Sequence, residues 1–244
     1  MPLNSKVVLV TGASRGIGNG IANWFKNNGY NVAFGYKTNI DFKINASSSK
    51  SIRAQIDISD RTSIKKALNE IQTYFDSNID ILINNAAVAQ EKKFEDISDN
   101  DWNEMMAVNL RGAFSTSQEV LPMMKKEKWG RIINISSVGG QLGGYNQVHY
   151  AASKAALINL TISIAKLYSA NGITCNCVAP GLITTEMSSR EILSNEGKTK
   201  IDNIPLKRVG TVSEIVDCVG FLASENASYI TGQTININGG MYFG

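Results

Sequence analysis

Apolar positions along the chain fall into two rhythms. Unbroken runs at residues 6–10, 31–36 and 79–83, the isoleucines Ile132, Ile133 and Ile135, and the run 173–179 predict strands buried on both faces. Segments 51–58 and 233–237 read as two more strands. Between the runs, apolar residues recur at helical spacing: Ile21, Ala22, Trp24 and Phe25; then Ile64, Leu68, Ile71 and Phe75 within 61–75. Further on come Trp102, Met105, Met106, Asn109 and Ala113 after a helix start at Ser98 and Asp101, then Leu157, Leu160, Ile164 and Leu167, and finally 211–222.

Strands alternating with helices predict an α/β fold, a doubly wound (Rossmann) parallel sheet of about seven strands with helices on both faces. No repeat or linker divides the chain, so residues 1–244 are expected to form a single domain. Three stretches break the rhythm. Residues 38–50, with a serine run at 47–49, predict a loop with at most a short helix. Leu121-Pro122 interrupts a helical pattern, and 139–147 reads as a loop. Residues 186–200 are polar and mixed, the pattern of a mobile lid.

Composition narrows the function classes. The net charge is +3, and no lysine and arginine run is interleaved with aromatics, which argues against nucleic-acid binding. No stretch of about eighteen apolar residues is present to span a membrane. The first residues lack the order of a signal peptide, so a soluble cytoplasmic protein is expected. Three cysteines, Cys175, Cys177 and Cys218, make no disulfide framework. Cys175 and Cys177 alternate along an apolar strand as small buried side chains. The single histidine, His149, cannot build a metal cluster with them, so no metal is expected. A serine triad would need His149 to face Ser137, yet it adjoins Tyr150 at a helix start and reads as a helix-entry residue.

The candidate chemistry lies at the strand ends. The first strand runs straight into Thr11-Gly12-Ala13-Ser14-Arg15-Gly16-Ile17-Gly18 and then a helix, the arrangement that lets backbone amides approach a pyrophosphate. After the second strand stands Lys37 rather than a carboxylate, with Ser14 and Arg15 in the glycine loop. Two positive charges and a hydroxyl suit a ribose 2′-phosphate and predict NADP(H) over NAD(H). Asp57 ends the third strand, where a carboxylate can accept from an adenine amino group. Asn84-Asn85-Ala86-Ala87 follow the fourth strand at the edge where ligands bind. Asn109 lies on an apolar stripe, as a satisfied interior amide or as a group holding a water near the active face. Tyr150 and Lys154 are four apart on one helix face, and Ser137 comes from the end of the preceding strand. An ammonium one turn away favours the phenolate, and the three together can polarise and protonate a ketone.

In order and approximate spacing, the segment from Thr11 to Gly18, Asn84-Asn85-Ala86, Asn109, Ser137, Tyr150-x-x-x-Lys154 and Pro180-Gly181 resemble the short-chain dehydrogenase/reductase family over essentially the whole chain. The resemblance implies that Tyr150 protonates the substrate oxygen, Ser137 orients the carbonyl, and Lys154 binds nicotinamide-ribose hydroxyls while lowering the tyrosine pKa. It implies that Asn109 holds a water in the proton relay and that Ile183 and Thr185 contact the carboxamide. Asp57 and Asn85 would line the adenosine side, with Ile58, Ala86, Pro180 and Gly181 as further cofactor contacts. Within that family the likeness is greatest to the bacterial reductases of 3-oxoacyl groups on acyl carrier protein. It carries over a homotetramer and carrier-protein docking beside the entrance, where Lys128 keeps a basic charge and Asn171 replaces the usual arginine. Ala87 stands where that family has glycine. Other ketones, a sugar or a small secondary metabolite, remain alternative substrates, and a non-catalytic NADP-binding protein is the alternative from another class.

Overall fold

Val7–Val10 form β1, all four side chains buried, with Val8 and Val10 packing on one face of the sheet and Val7 and Leu9 on the other. That two-sided burial is why the strand is apolar throughout. The computed structural model describes residues 6–186 and 188–244. The stretch before Lys6, part of the reading of an absent signal peptide, and Met187, inside the expected lid, lie outside the described residues.

Beyond β1 the sheet contains β2 (Asn31–Tyr36), β3 (Ser51–Gln55), β4 (Ile81–Asn84), β5 (Gly130–Ile135), β6 (Ile173–Pro180) and β7 (Thr234–Ile237). The order is β3-β2-β1-β4-β5-β6-β7, and every pairing is parallel. The sequence of strands reverses between β1 and β4, which opens a crevice at their carboxyl ends. One face carries α1 (Gly16–Asn27) and α9 (Val212–Ala223) over Phe25, Phe34, Ile133 and Val219. The other carries α2 (Arg61–Phe75), α4 (Ala113–Glu127) and α6 (Val148–Tyr168) over Leu82, Ile132, Ile64 and Met124. Each fully buried large side chain stabilises the fold by about 1.5–3 kcal/mol. Cys175 and Cys177 are buried and free, as their alternation predicts.

Several expectations need correction. The third strand ends at Gln55 rather than at residue 58. α4 runs unbroken through Pro122, so the loss of one helical hydrogen bond there is outweighed by the burial of Val120, Leu121 and Met124. Between α3 (Asp99–Met106) and α4 the chain winds as a π-helix over Ala107–Gly112, and Trp102 on the expected apolar stripe is 40% exposed. A single turn, α5 (Gly139–Leu142), interrupts the loop before α6. The expected lid contains two helices, α7 (Ser189–Leu193) and α8 (Asn195–Asn203).

Residues 38–50 adopt neither helix nor strand, as the sequence indicates. They are bound to α1 by polar side chains instead. Asn45 N donates to Asn23 Oδ1 at 2.7 Å, Lys26 Nζ to Ser49 O at 2.8 Å, and Phe42 packs against Phe34 and Tyr36.

Candidate active site

The turn after β1 is shaped by close approach. Gly12 has φ +66°, and a Cβ there would lie 2.7 Å from Ala86 Cα; Gly16, at φ +55°, faces the Thr185 side chain. A Cβ on Gly18 would strike Gly12 O and the Asn85 amide. The loops after β1, β4 and β6 therefore meet at one place. Arg15 occupies the N-cap of α1 without capping through its side chain, and the first turn carries no acidic residue. The free amides and the positive helix end suit a phosphate.

Asn85 holds this loop rather than facing outward. Its side-chain amide donates to Thr11 O at 2.9 Å and Gly12 O at 3.2 Å, while Thr11 Oγ1 accepts from the Asn85 and Ala86 amides. Ile58 and Ile183 are buried, so their side chains belong to the interior. Ile58 packs against Gly112, and Ile183 bridges to Gly210.

Lys37 pairs with Asp57 at 2.8 Å, so the two residues assigned to opposite ends of an adenosine touch each other. Lys37 remains 61% exposed, which leaves room for an incoming phosphate. The Lys37 and Ser59 hydrogen bonds hold the Asp57 carboxyl below its ordinary range against desolvation, which is the largest single influence and acts the other way. Arg15 is exposed and has no side-chain partner among the described residues. Helix end and glycine approach together fit the pyrophosphate of a dinucleotide.

Ser137 follows β5 by two residues, and its Oγ accepts from Gly139 N at 3.1 Å. Tyr150 lies in the first turn of α6 with the Lys154 ammonium 5.7 Å from its ring centre. Burial pushes the Tyr150 phenol above its ordinary value, and hydrogen bonding with Ser137 pulls it back in part. The predicted lowering by Lys154 is therefore not what dominates in this structure. Lys154 itself is 3% exposed, donates to Ile135 O at 2.8 Å, and is pushed down to about 8 by desolvation.

Asn109 sits on the π turn, 2% exposed, with a saturated amide. Nδ2 donates to Val88 O at 2.9 Å and Ser153 Oγ at 3.1 Å, and Oδ1 accepts from Val88 N at 2.9 Å. Ser153 Oγ in turn donates to Tyr150 O at 2.7 Å. Thus the interior-amide reading describes its side chain. Sequence reasoning missed Ser153, placed Gln90 only within an entrance segment 90–94, and set Ser136 aside in favour of Ser137, although Ser136 Oγ donates to Lys154 O at 2.9 Å. All are polar residues close in sequence to a motif, which is the signal that could have found them. Lys128 caps α4 just before β5, at the amino-terminal edge of the sheet. The length of β5 separates it from Ser137, so within one chain it does not flank the entrance.

A phosphate-ready turn facing a phenol, a hydroxyl and a buried ammonium across one sheet edge is the working part of a nicotinamide-dependent oxidoreductase. The chain belongs to the short-chain dehydrogenase/reductase family. A family model described as Enoyl-(Acyl carrier protein) reductase matches residues 12–242. The 3-oxoacyl-[acyl-carrier-protein] reductase FabG of Aquifex aeolicus is 42% identical over 247 residues, covering 98% of each chain. The enzyme of the same name from Staphylococcus epidermidis is 39% identical, covering 98% of this chain and 99% of its own. Among solved structures, a putative gluconate dehydrogenase from Agrobacterium tumefaciens superposes with a TM-score of 0.89 at 25% identity, covering 98% of this chain and 96% of that one.

Proposed function

We propose that the protein reduces a 3-oxoacyl group carried as a thioester on acyl carrier protein to the 3-hydroxyacyl product, using NADPH. The observation that carries this reading is the placement of Ser137 and Lys154 around the Tyr150 phenol at the same sheet edge as the glycine turn. Near-full-length similarity to enzymes named for that reaction supports the substrate class.

NADPH bound along the crevice would supply the hydride to the carbonyl carbon. Ser137 holds the carbonyl oxygen by donating its hydroxyl proton in a hydrogen bond. Tyr150 transfers its phenolic proton to that oxygen as charge develops there. Lys154, anchored on Ile135 O, offers its remaining donors to the nicotinamide ribose and stabilises the phenolate left behind. Asn109 acts in this scheme by fixing the turn that holds Val88 and Ser153. Gly12, Ser14, Gly16, Ile17 and Gly18 receive the pyrophosphate, Arg15 and Lys37 the 2′-phosphate, and Asp57, Ile58, Asn85 and Ala86 border the adenosine side. Pro180, Gly181, Ile183 and Thr185 border the nicotinamide. The protein works as a cytoplasmic homotetramer in this reading.

The test is NADPH oxidation, followed by loss of its near-ultraviolet absorbance, with acetoacetyl-coenzyme A and with an acetoacetyl carrier protein. Tyrosine-dependent turnover that prefers NADPH and the carrier-bound ketone supports the proposal. Cofactor binding without reduction of either thioester rejects it. A keto form of a sugar acid then becomes the next substrate to assay, the direction indicated by the putative gluconate dehydrogenase of similar fold.

A further inference from the structure

His149 is the chain's single histidine, fully buried beside Tyr150 in the first turn of α6. The reduction scheme gives it no role. Its Nε2 lies 2.9 Å from Gln90 Oε1. Gln90 Nε2 donates to Asp101 Oδ1 at 2.8 Å, and Lys92 Nζ reaches Asp101 Oδ2 at 2.6 Å. Lys92, Ser98 and Gln90 hold the Asp101 carboxyl far below its ordinary range, so it only accepts.

This order fixes the direction of every bond. An accepting carboxylate requires the NH2 of Gln90, which turns the Gln90 oxygen towards the imidazole. His149 must then donate from Nε2. Nδ1 is left as a bare acceptor, buried and without a hydrogen-bond partner among the described residues.

The segment that His149 grips is extended, and its burial alternates. Ala89, Glu91 and Lys93 are exposed, whereas Val88, Gln90 and Lys92 turn inward. Each inward residue is bonded to an element that supports Tyr150: Val88 to Asn109, Gln90 to His149, and Lys92 N to Asn146 O at 2.7 Å. Only the middle bond depends on a side chain of α6 itself.

We propose that His149 is a positioning residue that latches segment 88–93, through Gln90 and Asp101, onto the turn carrying Tyr150 and so sets the fit of the ketone at the site. The kinetic part of this proposal rests on the reductase reading; the latch does not. Loosening it shifts the wall against which the substrate lies, which weakens substrate fit while leaving the cofactor turn untouched.

The experiment uses untagged protein labelled with 15N-histidine, in which every imidazole signal comes from His149. The spectrum is expected to show the proton on Nε2. Gln90→Leu and His149→Leu are expected to speed hydrogen exchange at the Lys92 amide and to raise KM for the ketone about tenfold, with NADPH Kd unchanged. His149→Gln, which keeps a donor near the Nε2 position, is expected to restore both. An Nδ1-protonated ring, or unchanged Lys92 exchange in both leucine variants, overturns the latch. Faster exchange with an unchanged KM in a protein that reduces the ketone overturns the effect on substrate fit. If no ketone is reduced by the wild type, the reductase reading falls, and tautomer and exchange still decide the latch. Should His149→Leu fail to fold, Gln90→Leu at its partly exposed position carries the test.

Discussion

Two stretches follow β4 and β6 at the carboxyl edge of the sheet, and they are built differently. Segment 88–93 has no regular structure, yet it is tied to distant parts of the chain by Asn109, His149, Asp101 and Asn146. Segment 184–203 contains α7 and α8, yet its described bonds are largely local, as between Thr185 and Ser188 or in the Ser194 cap. Among the described bonds, it is the irregular segment whose side chains reach other elements, while 184–203 is joined to Gly210 through the Thr184 amide. Order at a site comes from long-range bonds that lock a segment to the core, not from helix content, and a wall with mainly local bonds is the one free to move.

The largest test of this contrast removes the phenol at the same sheet edge. Tyr150→Phe is expected to lower turnover by about 10²–10⁴-fold while NADPH titration shows unchanged binding. Equal loss of binding would mean that the phenol supports the cofactor site rather than the chemistry.

The buried ammonium behind the anchored wall comes next. Lys154 titrates near 8 in the folded protein against 10.5 for its ordinary value, so the unfolded chain holds more protons between those limits. Its burial penalty is fully present below pH 8 and fades as the pH rises to the unfolded value. Relative to Lys154→Met, the cofactor-free wild type is expected to gain stability over that window, on the order of 3 kcal/mol, in urea melts at a series of pH values. Parallel curves for the two proteins would refute the depressed pKa.

Asn109→Leu attacks the anchor directly. It leaves both polar groups of the Val88 backbone unpaired and is expected to destabilise the fold by about 2–3 kcal/mol in urea titration. Limited proteolysis sharpens the same comparison: in the wild type cuts are expected within 184–203 before 88–93, and Asn109→Leu is expected to narrow that gap. Asp57→Asn gives the smallest effect. Breaking the exposed pair with Lys37 is expected to change stability by less than about 1 kcal/mol, and freeing the lysine should tighten NADPH binding a few-fold over NADH. Unchanged cofactor preference would remove Lys37 from the phosphate site.

Much of this arrangement is legible in the chain. Strands buried on both faces must be apolar throughout, so β1, β2, β4, β5 and β6 announce themselves, and the Ser98 and Thr211 capping boxes mark helix starts. Glycines at positions of positive φ or close approach mark the cofactor turn before any contact is seen. Helix spacing puts Tyr150 and Lys154 together from number alone.

What the sequence determined by itself was whatever follows from local periodicity and backbone sterics: the parallel α/β sheet, the glycine turn, and the tyrosine–lysine face of α6. Tertiary structure alone decided what depends on distant partners. It joined Lys37 to Asp57, drew Asn85 back onto Thr11, raised the Tyr150 pKa through burial, and buried His149 against Gln90. It also carried α4 through Pro122 and placed Lys128 at the far end of the sheet. The physical reason is that hydrogen bonds and desolvation act across space between residues separated by tens of positions, whereas a periodic pattern records only what each residue asks of its own helix or strand.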